Sequence, residues 1–321
     1  MRCRVFACVI LAAVAALSPA RAQDYPARPI RLIVSSPAGS LVDVLSRLLA
    51  QDVSARLGQS IVIDNRAGAM TQVALDALVR APADGYTLMI GPSELAMLPF
   101  LKKGYRYDPG KDFTPVALFA SSWTVFAVNP KVPAETLPEL IAYARARPGA
   151  IRYGSGGVGG ALHIAVEMLK LKTGVDLVHI PYRGGSQVAT DAISGQIEMA
   201  SMGLASTRIA ANGQLRILAQ TGPTRHPMLP DVPTTAELGL PDVRMEKWFG
   251  VIAPSDLPPP ILERLAQAID AVLQDPAFRD RLFGIGCAAA WMPPAKFAAY
   301  ISDETRRWSQ IIPAMGIAVQ D

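Results

Sequence analysis

Cysteine, histidine and charged residues are all scarce in this chain. Three cysteines and three histidines occur among 321 residues, and charged residues make up 18%. Two of the cysteines lie within the first eight residues, which leaves Cys287 without a partner for an internal disulfide. His163, His179 and His226 do not have the spacing of metal ligands. We therefore expect no disulfide, no metal and no cofactor.

Long apolar runs are also lacking, apart from one at the N-terminus. Arg2 and Arg4 precede an apolar stretch from Val5 to Leu17, and Ala20-Arg21-Ala22 has the small-x-small pattern of a cleavage site. The stretch is shorter than the roughly 20 residues that span a bilayer. Residues 1–22 are predicted to be a secretory signal peptide, so the mature protein should begin at Gln23 and be soluble in the periplasm.

An excess of positive charge is missing from the mature chain. Three of the 31 basic residues fall in the leader, and the remainder nearly balance 27 acidic residues. No basic stripe remains that would bind nucleic acid. The hydrophobic fraction of 50% is ample for a buried core, and the length suits two domains.

A strand, a glycine-rich turn and a helix alternate along the chain. Strands are predicted at IRLIVSS, SIVIDN and YTLMIG, with helices over residues 41–57 and 72–80 between them. A second such series runs from about residue 137 to residue 221, and two amphipathic helices close the chain. This order predicts an α/β fold in which each lobe is a mostly parallel sheet flanked by helices.

Two segments are predicted to cross between the lobes, near residues 121–124 and 246–248. The run from residue 116 to residue 128 is too long for one simple strand, which suggested the first crossing. We expect one lobe to contain residues 23–122 and 248–321, and the other to contain residues 123–247. The cleft between two such lobes is where a small ligand would bind.

Three Gly- and Ser-rich loops follow predicted strands and precede helices: SSPAGSLVD, GSGGVGG and PYRGGSQVATD. The second satisfies the dinucleotide pattern G-x-G-x-x-G, but Asp176 begins the next strand instead of ending it, so the ribose-binding acid is misplaced. Loops of this kind present backbone N–H groups and a positive helix end to an anion. Together they predict a cleft that binds a carboxylate.

The candidate ligand contacts lie on these loops and at other strand ends. They are Ser36, Ala38, Gly39, Ser40, Ser93, Ser155, Gly156, Gly159, Tyr182, Arg183, Gly184 and Ser201. Asp43 and Asp191 are interpreted as structural braces and His163 as a packing residue. Glu94 could bind a cationic group, but it is interpreted as an acid that complements a helix N-terminus.

Many ordered motifs of the mature chain are those of one receptor family. They include YPARPIRLIV, LGQSIVIDNRAGA, ADGYTLMIG, YGSGGVGGALH and LPDVPTTAELGLP. The chain resembles the Bug (TctC-like) family of periplasmic solute receptors, which serve tripartite tricarboxylate transporters. The resemblance implies a Venus-flytrap fold, binding without catalysis, a small carboxylate ligand and the membrane subunits of such a transporter as partners. We expect a monomer.

The chain departs from the family pattern in places that bear on the ligand. Ser40 stands where the first loop usually has a second glycine, and Met70 stands where small residues are common. Near Ser201 many relatives carry Phe-Asp, an acid that could meet an amino group, and it is missing here. This absence argues against an amino-acid ligand.

Two alternatives stay open at the level of sequence. A secreted hydrolase could use Ser155 with His163 and an acid such as Asp191, although position 153 is Tyr and the G-x-S-x-G elbow is absent. A periplasmic sensor could present its closed, ligand-bound form to a membrane signalling partner.

Overall fold

The first part of the chain builds parallel strands joined by helices. The computed structural model describes residues 25–182, 185–208 and 213–317. The elements up to the long strand are β1 (Ile30–Val34), α1 (Leu41–Leu57), β2 (Ile61–Asn65), α2 (Gln72–Val79), β3 (Thr87–Pro92), a 3-10 turn (Ser93–Ala96), α3 (Leu98–Leu101) and β4 (Phe113–Val128). β1 lies between β2 and β3 and is parallel to both.

The second part repeats this arrangement. Its elements are α4 (Leu137–Ala146), β5 (Ile151–Ser155), α5 (Ala161–Thr173), β6 (Leu177–Pro181), α6 (Gly185–Ser194), β7 (Met199–Gly203), a 3-10 turn (Leu204–Arg208) and β8 (Arg216–Gln220). β5 is parallel to both β6 and β7.

The chain then returns to the first part. The remaining elements are β9 (Glu246–Pro254), α7 (Pro259–Leu273), α8 (Pro276–Gly284), β10 (Ala288–Met292) and α9 (Pro294–Ala314). The prediction of two closing helices was incomplete, because α8 and β10 lie between them. β10 has an alanine-rich sequence with little strand character of its own, and it forms by pairing antiparallel with β4.

Helix α1 shows how local sequence sets an element. Ser40 caps its N-terminus by accepting a hydrogen bond from the Asp43 N–H, and Gly58 ends it in the left-handed conformation at φ 68°. Leu45, Leu49 and Val53 are buried at helical spacing. The helix therefore has the bounds that its periodicity and caps predict.

Strand β4 belongs to both sheets. From Phe113 to Trp123 it pairs antiparallel with β9, and from Thr124 to Val128 it pairs with β7 and β8. The strand order is β2-β1-β3-β9-β4-β7-β5-β6, so two lobes share the pair of crossing strands. The change of partners at Trp123 supports the predicted lobe boundaries, whose residue limits stay a prediction.

The crossing strands carry large buried side chains. The side chains of Phe119, Phe126, Trp248 and Phe249 on the crossing strands are at most 2% exposed. Because β4 and β9 contribute to the core on both sides, the carboxyl ends of β3 and β5 are held facing one another across a cleft.

Candidate ligand cleft

A cavity of about 160 Å³ lies where the two lobes meet. One wall comes from the loop before α2 and from the segment after β3, and the other is the glycine loop after β5. The lining residues are Met70, Thr71, Glu94, Leu98, Leu101, Gly156, Gly157, Val158, Gly159 and Gly160. A methyl group placed on Gly159 would lie 3.5 Å from Met70 Cε, so the two walls are almost in contact.

The loop that carries Met70 has an unusual backbone. Ala69, Met70 and Thr71 have φ values of 45°, 50° and 74°, a left-handed conformation that side-chain-bearing residues rarely adopt. Such strain is typically retained where a loop has a functional position to hold. Here it directs a bulky side chain at the glycine wall.

The glycine wall carries unused hydrogen-bond donors. Among the residues that the structure describes, no acceptor contacts the N–H groups of Gly156, Gly157 and Gly160. These groups stand at the N-terminus of the 13-residue helix α5, whose cap residue Gly160 supplies no side chain. Free N–H groups at the positive end of a helix dipole form a binding site for an anion.

Buried hydrogen bonds hold this loop in place. Ser155 is fully buried, and its Oγ lies 2.7 Å from His179 Nε2 and 3.3 Å from the Gly157 carbonyl oxygen. The Tyr182 N–H donates to the Ser155 carbonyl over 2.9 Å. The Gly159 N–H donates to His163 Nδ1 over 3.1 Å. The Ser155 hydroxyl therefore positions the loop and does not open into the cavity.

The rings behind the loop form a stack of neutral groups. His179 lies between Tyr153 and His163, with ring centroids 4.9 and 4.1 Å away. Burial and, to a smaller extent, the neighbouring His163 lower the pKa of His179 to about 4. Burial also lowers the pKa of His163. Both imidazoles are thus uncharged at neutral pH. This agrees with the hydrogen bond from the Gly159 N–H, which His163 Nδ1 can accept only when that nitrogen carries no proton.

The first loop uses its own N–H groups internally. The Gly39 N–H donates to Asp43 Oδ2 over 2.9 Å, and the Ser40 N–H donates to the Pro37 carbonyl. Asp43 is 2% exposed, and its hydrogen bond from Arg47 lowers its pKa to about 2. Asp43 is a brace, as predicted. The loop residues Ser36, Ala38, Gly39 and Ser40 do not line the cavity, and their contact with ligand stays a prediction.

The other candidate residues are placed as follows. The Tyr182 hydroxyl donates to Asp191 Oδ2 over 2.8 Å, and Ser201 Oγ donates to the Leu162 carbonyl over 2.7 Å. Ser93 is buried beside Glu94. Gly156 and Gly159 line the cavity. Arg183 and Gly184 lie outside the described residues, so their predicted ligand contact is not tested.

The hydrolase alternative is wrong. The histidine that contacts Ser155 is His179 and not His163, whose Nδ1 is occupied by a backbone N–H. Asp191 accepts from the Tyr182 hydroxyl instead of orienting a histidine. A serine with no exposed surface cannot attack a substrate.

Sequence reasoning missed most of the wall opposite the glycines. Met70 drew notice only as a departure from a family pattern. Glu94 was considered as a residue that could bind a cationic group, but it was interpreted as an ordinary acid beside a helix start. Leu98 and Leu101 had no pattern to distinguish them from core residues. One signal was available for Glu94: it follows the carboxyl end of a parallel strand, where α/β sheets bind their ligands.

Two kinds of feature were sought in the described part of the chain and are absent from it. No group of three His, Cys, Asp or Glu side chains there could hold a metal ion. No helix over those residues is both long and apolar enough to cross a bilayer.

The two lobes, the shared crossing strands and the glycine loop in the cleft define a solute-binding receptor of the periplasmic-binding-protein class. The family described as "Tripartite tricarboxylate transporter family receptor" (TctC) matches residues 45–317. The chain belongs to this family, whose members are periplasmic solute receptors and not enzymes. The predicted fold class and family are confirmed.

Relatives and solved structures agree with this assignment. Protein BugT of Bordetella pertussis is 33% identical over 312 residues, which cover 96% of this chain and 95% of BugT. A structure of an R. palustris protein with adipate has 33% identity and a TM-score of 0.79, covering 92% of this chain and 99% of the other. MatC from Rhodopseudomonas palustris with bound malate has 26% identity and a TM-score of 0.75, covering 90% and 100%.

Proposed function

We propose that this receptor captures a small organic carboxylate in the cleft and delivers it to the membrane subunits of a tripartite tricarboxylate transporter. The observation that carries the proposal is the set of unpaired N–H groups of Gly156, Gly157 and Gly160 at the start of α5. A carboxylate accepts several hydrogen bonds at once and is favoured by the helix dipole. The adipate and malate of the two solved neighbours are carboxylates of this kind.

The remaining candidate residues complete this proposal. Ser36, Ala38, Gly39 and Ser40 approach the ligand from the first lobe, and Tyr182, Arg183 and Gly184 from the second. Closure occurs about β4 and β9, which join residues 23–122 and 248–321 to residues 123–247. Ser93, Ser155 and Ser201 support these loops from beneath.

The proposal includes export to the periplasm as a monomer after removal of residues 1–22. The mature protein should begin at Gln23, because the leader has the charge, apolar run and small-x-small site of a signal peptide. Mass spectrometry of the periplasmic fraction measures this N-terminus. An uncleaved chain found only in membranes contradicts it.

The decisive experiment is a thermal-shift screen of mono-, di- and tricarboxylates and uncharged analogues, followed by titration calorimetry. A ligand that binds the folded state raises the Tm. In Gly156→Val the new side chain should fill the anion site and weaken binding at least tenfold. The backbone tolerates a side chain at this position, because a Cβ there meets nothing closer than 3.9 Å and φ lies outside the left-handed region. Gly284→Val, on α8, is the matched control. Failure of every carboxylate to bind refutes the proposal.

A further inference from the structure

One ionisable side chain lines the cavity among the residues that the structure describes, and it is an acid. Glu94 follows β3 directly and faces the space bounded by the glycine wall. Its carboxylate accepts one hydrogen bond, from Ser93 Oγ over 3.3 Å. Within the described residues no lysine, arginine or histidine forms a salt bridge with it.

Among the residues that the structure describes, no basic side chain lines this wall. Lys102 Nζ donates to the Ala69 carbonyl over 3.1 Å and does not line the cavity. The other side chains of this wall are Met70, Leu98 and Leu101, which are apolar, and Thr71, which carries a neutral hydroxyl group. In the described part of the chain, the acid is therefore the one charged side chain of the wall, and it lies opposite the free N–H groups of the glycine loop.

The cavity thus has two chemically different ends. The backbone donors of Gly156, Gly157 and Gly160 attract an anion, whereas Glu94 repels one and attracts a donor or a cation. The volume of about 160 Å³ is below the usual range of ligand pockets, roughly 300–1,000 Å³, so a ligand that fills it contacts both ends. A dicarboxylate would bring its second charge against Glu94 in a partly desolvated site, where like charges repel more strongly than in water.

We propose that Glu94 sets the ligand class: the receptor binds an amino carboxylate, with the carboxylate on the glycine loop and the ammonium group on Glu94. This inference rests on the proposed carboxylate-binding function and narrows it. It also reverses the expectation, drawn from the missing acid near Ser201, that the ligand has no amino group. The required acid is present, but it comes from the other lobe.

The test uses pairs of ligands matched in length, 4-aminobutanoate with glutarate and 5-aminopentanoate with adipate. Titration calorimetry on the mature protein should give each amino carboxylate at least a tenfold lower Kd than its dicarboxylate partner. Glu94→Gln keeps the shape of the side chain and removes its charge, so it should reduce this ratio at least tenfold. Glu263→Gln removes the same charge from an exposed position on α7 and should leave the ratio unchanged.

The outcomes separate this inference from the function on which it rests. Two outcomes would contradict the role of Glu94 and leave the proposed carboxylate-binding function intact. In one, the wild type binds the dicarboxylates more tightly; in the other, Glu94→Gln leaves the ratio of Kd values unchanged. Absence of binding by all four probes and by every carboxylate of the wider screen overturns both. If Glu94→Gln folds poorly, the ratio of Kd values measured for the wild type still tests the proposal. Glu94→Asp keeps the negative charge and should retain the preference for amino carboxylates.

Discussion

The hydrogen bond between Ser155 and His179 should contribute to stability much more than to affinity. Ser155→Ala removes a fully buried hydroxyl that lies 2.7 Å from His179 Nε2 and leaves that nitrogen without its partner. An unsatisfied buried polar group costs ~1–3 kcal/mol. For a chain of this size we expect the Tm to fall by several degrees, at about 2–4 °C for each kcal/mol.

A double-mutant cycle isolates this interaction. His179→Phe removes the other partner, and the double variant removes both, so the four free energies of unfolding from urea denaturation give the coupling energy. We expect a coupling of ~1 kcal/mol, because removing both partners leaves no unpaired group behind. Circular dichroism at each urea concentration monitors unfolding independently of the ligand.

Affinity provides the second half of the prediction. Because the Ser155 hydroxyl points away from the cavity, Ser155→Ala should weaken carboxylate binding by no more than roughly twelvefold, the equivalent of one neutral hydrogen bond. Calorimetry with the best compound of the thermal-shift screen measures this. A coupling energy near zero would show that the contact between Ser155 and His179 does not stabilise the fold. A loss of affinity beyond a hundredfold would show that the serine contacts the ligand, and either result would contradict our account of the loop.

Two further predictions concern the fold. Gly250→Ala should lower the free energy of unfolding by several kcal/mol, because its Cβ would lie 2.2 Å from Phe297 Cζ. In the control Gly203→Ala the new Cβ meets nothing within 4 Å, so the same urea titration should show a change of less than about 0.5 kcal/mol. Burial lowers the pKa of His226 from 6.5 to about 4. Between pH 6.5 and pH 4 the unfolded chain therefore binds a proton at this residue that the folded chain does not bind. The free energy of unfolding should fall by ~1–3 kcal/mol as the pH is lowered through this range. His226→Phe should reduce this dependence of Tm on pH, and an unchanged profile would contradict the assignment.

Much of the secondary structure was predictable because its signals are local. The helices at residues 41–57, 137–146 and 161–173 have the bounds that hydrophobic spacing, caps and glycine stops indicate. β10 was missed because an alanine-rich segment becomes a strand only when β4 supplies its hydrogen-bond partners. The long apolar run forms one strand of 16 residues, longer than a usual strand, and its change of partners from β9 to β7 and β8 depends on segments far away in the chain.

The sequence by itself determined the class of the protein and the chemistry of one wall of the cleft. Composition, periodicity and motifs predicted export, two α/β lobes and a glycine-rich loop ahead of α5. Only the tertiary structure decided what that loop faces. Glu94 and Met70 lie opposite the loop although they precede it by some 60 to 90 residues in the chain. The histidine that contacts Ser155 is His179, whereas the sequence had suggested His163. The physical reason is that helix and turn signals act over a few residues, whereas the cavity is set by the pairing of β4 and β9, which brings distant strand ends together.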